Sequence, residues 1–201
     1  MIPDADASSA FDEDSSGRRR MSEPEFWMRG VQVDGISPAL QPVAYALLQA
    51  MEDAEAAASD LAPSVLWARP GGAASAGFHL RHLAGSLDRL TTYARGESLS
   101  DAQFDALRSE AEPGASADSL LGQLRETIER VLDQLRTTPD ESLDEPRFVG
   151  RARLPSTVRG LLYHAGEHTS RHVGQAITTV KVVRGLADEG ADSKLGLHPG
   201  S

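Results

Sequence analysis

Apolar positions recur at helical spacing through most of this chain. Val43, Leu47, Leu48, Met51 and Leu61 form a stripe that predicts a first helix over about 38–61, and Ala54, Ala56, Ala57 and Ala58 raise its helix propensity. Ser37-Pro38 offers an N-cap followed by proline at the first helical position. Pro42 fits only within the first turn, which allows a start nearer Leu40. Leu66-Trp67-Ala68-Arg69-Pro70-Gly71-Gly72 reads as a loop. A second helix is predicted over about 74–95, with Phe78-His79-Leu80-Arg81-His82-Leu83-Ala84, Leu87 and Leu90 on it and Gly96 as its stop. Ser100-Asp101-Ala102-Gln103 has the capping-box pattern and opens a short helix to about Glu110, which Pro113-Gly114 breaks. Leu120, Leu121, Leu124, Ile128, Val131, Leu132 and Leu135 predict a helix over about 117–137. Pro139 to Arg153 is a polar loop of about 15 residues, long enough to suspect function. The last helix is predicted over about 156–184, ended by Gly185. No internal repeat is present, and no strand pattern runs beyond a few residues.

Four long helices and one short one predict an all-α fold, a four-helix bundle with one short additional helix, occupying residues 31–185. Residues 1–30 read as a disordered N-terminal extension, because Asp4 to Asp14 is rich in Asp, Ser and Ala with little to bury. Arg18-Arg19-Arg20 directly precedes Met21. Met21 therefore reads as a natural start, the alternative being a short basic targeting or docking arm. Residues 186–201, with His198, read as a flexible tail.

Composition narrows the partners. A net charge of −10 and a pI near 5.0 argue against nucleic acid and anionic membrane. No apolar run reaches the roughly 18 residues of a spanning helix, and no apolar export segment is present, so a cytoplasmic location is expected. With 0 cysteines, disulfides, thiolate ligands and a cysteine nucleophile are excluded.

The candidate chemistry lies in the histidines. His164, His168 and His172 stand at i, i+4 and i+8, and each four-residue step drifts only about 40° around a helix. They form one ridge, and adjacent members can bind one ion together. Two ligands from one helix are seldom enough. His79 and His82, at i and i+3, share a face of the second long helix and offer a third. Three neutral nitrogens leave a fourth position open, the catalytic rather than the structural arrangement. His-Glu-x-x-His and Glu-x-x-His are absent, which removes that class of metalloprotease and the di-iron carboxylate bundle. No Gly-rich phosphate loop and no Gly-x-Ser-x-Gly occur. Arg171 can bind a substrate carboxylate or pair with Glu167 one turn back, and Gln175 reads as a packing or helix-to-helix hydrogen-bonding residue. Gly166 and Gly174 weaken a helix by about 1 kcal/mol each, which close approach of a neighbouring helix would explain.

The set His82-Leu83-Ala84 and His168-x-x-x-His172-Val173-Gly174-Gln175 resembles the DinB/YfiT-like superfamily of metal-dependent four-helix-bundle enzymes. The resemblance covers about Ile36 to Arg184. It implies His82, His168 and His172 as ligands of a divalent metal, zinc or nickel. His79 and His164 then become hydrogen-bonding neighbours or substrate contacts, as do Arg171 and Gln175. It also implies a small-molecule substrate, a homodimer and, by analogy with relatives that use bacillithiol or mycothiol, a low-molecular-weight thiol cofactor in an S-transferase or hydrolase acting on small electrophiles. No residue is singled out as a catalytic acid or base. The alternative is a non-catalytic, stress-associated metal- or ligand-binding bundle.

Overall fold

The computed structural model describes the backbone of residues 11–13, 19–21 and 23–195 and the side chains of residues 23–187. The chain divides into two units, Met1–Val31 and Gln32–Ser201. In the first, β1 (Phe11–Glu13) pairs antiparallel with β2 (Arg19–Met21), and Phe26–Arg29 forms one 3-10 turn that ends at Gly30 with φ 67°. Most of the expected 1–30 extension lies outside the described residues.

The second unit is the bundle. Its long helices are α1 (Gln41–Ala58), α3 (Ala76–Ala94), α5 (Ala117–Thr137) and α6 (Val158–Leu195). Two short helices accompany them, α2 (Pro63–Leu66) and α4 (Asp101–Arg108). Extensive packing joins α3 to α6, α1 to α6, α3 to α5 and α1 to α5. The helices therefore form a ring in which α1 faces α3 across one diagonal and α5 faces α6 across the other. The two long connections, residues 59–75 and 138–157, cross those diagonals.

Local chemistry explains the helix limits. Ser75, Ser100 and Ser116 each accept a backbone N–H at an N-cap, and Ser100 with Gln103 completes the predicted capping box. Gly96, at φ 80°, ends α3. α1 begins at Gln41 with Pro42 in its first turn, so Pro38 precedes the helix. The buried Gln41 side chain hydrogen-bonds the Val33 N–H, the Val33 carbonyl and the Ile36 carbonyl at 2.9 Å each, stitching the entry segment onto α1. Leu40, Leu47, Leu80, Leu83, Leu87, Leu120, Leu124, Leu135 and Leu162 are fully buried and interlock all four long helices.

Three expectations are corrected. Gly185 does not stop the last helix, which continues to Leu195; one interior glycine weakens a helix by about 1 kcal/mol, too little to end one of 38 residues. His198 lies outside the described residues. The Pro139–Arg153 loop contains a 3-10 turn at Asp140–Ser142 and the first strand of a hairpin, β3 (Pro146–Val149) with β4 (Leu154–Thr157). Arg147 anchors the hairpin by donating its Nε–H to the Ala94 carbonyl at 2.8 Å. In the segment read as a plain loop after α1, α2 and a 3-10 turn at Pro70–Gly72 deliver Trp67 onto Gly77. A β-carbon at Gly77 would stand 2.8–2.9 Å from three Trp67 ring atoms, and the indole N–H donates to the Ala115 carbonyl at 3.0 Å.

Candidate metal centre

α3 enters the core with Leu80, Leu83 and Leu87 inward, which turns His79 and His82 toward α6. α6 buries Ala165, Thr169 and Val173 and turns His168 and His172 toward α3. Four imidazoles meet between the two helices. His82 Nε2 lies 3.0 Å from His168 Nε2, and His79 Nδ1 lies 3.1 Å from His172 Nδ1. The rings of His82 and His172 stand 4.5 Å apart, as do those of His168 and His172. His82, His168 and His172 each offer a ligand atom, all within 4.8 Å of one another, and this is the one such group among the described residues.

The donor set fits a divalent ion. A ligating imidazole must be neutral. Burial, followed by the charge of His82, holds His79 and His168 below the usual histidine range. The same causes lower His172 from 6.5 to about 4. Two nitrogens on one tetrahedral zinc stand about 3.3–3.4 Å apart, given bonds of about 2.0–2.1 Å. The 3.0 Å spacing of His82 and His168 needs to open by only a few tenths of an ångström.

Glu110, just beyond α4, accounts for the orientation of His82. Burial raises its carboxyl, but the hydrogen bond from His82 and the charge of Arg89 outweigh that and hold it below the usual carboxylate range. An ionised carboxylate only accepts, so His82 Nδ1–H donates to Glu110 Oε2, at 2.7 Å. That leaves Nε2 of His82 facing His168. The Phe78 ring stacks on His82 at 5.4 Å and 11°. His168 is less constrained, because its buried Nδ1 meets no hydrogen-bond partner among the described residues.

The other expected site residues take different places. His79 joins the cluster through His172. His164 stays at the surface, its Nδ1 3.3 Å from Glu167 Oε2, and Arg171 pairs with the same carboxylate. Gln175 is exposed and makes no helix-to-helix hydrogen bond among the described residues. Arg171 and Gln175 line a cleft of about 880 Å³ whose walls include Pro70, His79, Gly174, Val182 and Leu186. Gly174 faces this space: a β-carbon there would meet nothing within 4 Å, so helix approach does not explain it. Gly166 does face α1, where a β-carbon would stand an ordinary 3.5 Å from Ala46. Sequence reasoning missed Glu110, Arg89 and Gly85. The available signal was Arg89 itself, a charge seven residues after His82 and on the same face of the helix.

Fold and site together define a helical bundle with a three-imidazole cluster between its second and last long helices. A family model of the DinB superfamily matches residues 46–176, and the chain belongs to that superfamily. Among solved structures, YfiT from Bacillus subtilis, a probable metal-dependent hydrolase with an unusual four-helix bundle topology, is similar in fold. The likeness has a TM-score of 0.56 at 19% identity and covers 77% of this chain and 93% of YfiT. No curated protein matches the chain. No described helix is long and apolar enough to cross a membrane.

Proposed function

We propose that this protein is a divalent-metal-dependent enzyme in which His82, His168 and His172 hold the ion and the cleft beside His79 admits a small electrophilic substrate. The observation that carries this is the convergence of three imidazoles from two helices, within 4.8 Å, next to that cleft. An all-imidazole set suits zinc or nickel. When bound, such a cation lowers the pKa of a coordinated thiol or water and so supplies a nucleophile at neutral pH. The description of YfiT as a probable metal-dependent hydrolase supports the same reading.

The chain's own groups do the positioning. Glu110 fixes the His82 ring, and His79 hydrogen-bonds His172. Pro70, Val182 and Leu186 give the cleft apolar walls, while Gln175 and Thr178 supply polar contacts. Arg171 lies on the same wall, with its charge shared by Glu167. A low-molecular-weight thiol of the bacillithiol or mycothiol kind is the proposed nucleophile for S-transfer, and water is the one for hydrolysis. The exposed Phe148 and Leu154 of the β3–β4 hairpin offer apolar surface for a homodimer in the cytoplasm.

A second reading is a bundle whose histidines hydrogen-bond one another and do no chemistry, favoured by the 3.0 Å approach of His82 to His168. The experiment that separates them incubates zinc- or nickel-loaded protein with a thiol and 1-chloro-2,4-dinitrobenzene, and with an ester panel. Turnover that needs the ion and disappears in His82→Ala, His168→Ala and His172→Ala supports the enzyme. Turnover that persists in all three variants, or none at all from loaded protein, supports the second reading.

A further inference from the structure

His82, Gly85 and Arg89 stand at i, i+3 and i+7 on α3 and share one face. Glu110 docks across that face. Its side chain is 6% exposed; Oε2 accepts from His82 at 2.7 Å, and Oε1 lies 2.8 Å from Arg89 Nη1, whose side chain is 10% exposed. Gly85 makes the room. A β-carbon at that position would lie 2.8 Å from both Arg89 Nη1 and Glu110 Oε1. A buried Arg–carboxylate pair is weak ground for stability, because well-packed apolar residues often serve as well. Its position here, with the second carboxylate oxygen on a histidine that faces the cluster, points to another role.

We propose that Glu110, clamped by Arg89 in the gap left by Gly85, is a positioning residue that fixes the ring and tautomer of His82 and so presets its Nε2 for an ion. This rests on the reading of His82 as a ligand. The physical basis is general: a ligating imidazole that donates its other N–H to a carboxylate is held in one orientation and made more basic. Among the described residues, His82 is the one member of the three whose far nitrogen meets a carboxylate, so Glu110 acts on the ion through it alone. The clamp also explains a glycine inside α3, because any side chain at position 85 displaces the pair.

The test measures zinc affinity of the full chain by competition with a chromophoric chelator, and the imidazole tautomers of the metal-free protein by long-range proton–nitrogen NMR. Glu110→Gln keeps the shape and an acceptor oxygen but removes the charge. Gly85→Ala keeps every histidine, Arg89 and Glu110 but pushes the pair out of the gap. Both variants are expected to bind zinc about 10–100-fold more weakly than wild type. In both, His82 is expected to lose its preference for the Nδ1–H tautomer, a signature that a purely structural ion pair would not move. If Glu110→Gln does not fold, Gly85→Ala decides. Zinc affinity within about twofold of wild type with an unchanged His82 tautomer overturns the proposal. If wild type binds no zinc, the metal reading fails, while the tautomer measurement still decides whether Glu110 sets the His82 ring.

Discussion

Acidification should destabilise the metal-free protein through its histidine cluster, in a defined window. Burial and the neighbouring His82, His168, His79 and Arg171 lower the His172 pKa from 6.5 to about 4, and His79 and His168 move in the same direction. Between these limits the unfolded chain binds more protons than the folded one. Stability therefore rises with pH across this window and is lost as pH falls from 6.5 toward about 4. At about 1.36 kcal/mol per pH unit, a drop of about 2.5 gives a ceiling of about 3.4 kcal/mol for His172. The ring is only partly buried, and solvent screening reduces this to about 1–2 kcal/mol. The assay is urea unfolding with a chelator present, at about pH 7 and about pH 4.5, for wild type and His172→Gln. The wild type should lose about 1–2 kcal/mol more than the variant between the two conditions. Carboxylates contribute equally to both proteins and drop out of the difference. Identical losses in the two proteins would refute the assignment of a partly buried, neutral His172.

Three further outcomes follow from packing. Gly77→Ala drives a methyl into the Trp67 ring, an overpacking of about 1–3 kcal/mol offset by about 1 kcal/mol of helix propensity, so thermal unfolding should show a lower Tm. Gly174→Ala faces open space and should raise stability by up to about 1 kcal/mol in the same measurement. Gln41→Leu strands the Val33 N–H and two carbonyls and should lower the urea midpoint, by about 1–3 kcal/mol in stability.

The bundle was legible because its signals are local and repeated. The leucine stripe of α5 and the Ser100–Gln103 capping box each act over a few residues, and both appear where expected. What escaped was non-local or brief. The diagonal arrangement of α1 and α3 depends on packing between distant elements, and the β3–β4 strands are four residues each, with Pro146 and Pro155 among them. Gly185 was misread because a stop needs a turn after it, and the chain beyond supplies continued helix instead. The site divides in the same way. His168 and His172 announce themselves by their four-residue spacing, and His82 emerges through its match to the superfamily pattern. Glu110 reaches His82 from 28 positions away, across a loop, and resembles any other surface glutamate in the sequence. The spacing that makes a ridge of His164, His168 and His172 also overstates it, because His164 stays outside the cluster with Glu167.

The central claim, an ion held by His82, His168 and His172, is tested most directly by elemental analysis of protein purified without chelator. About one divalent zinc or nickel per chain is expected in wild type and in His164→Ala, given a single three-ligand centre. Each of His82→Ala, His168→Ala and His172→Ala should lose it. A wild type without bound metal after incubation with either ion, or undiminished content in those three variants, would contradict the account.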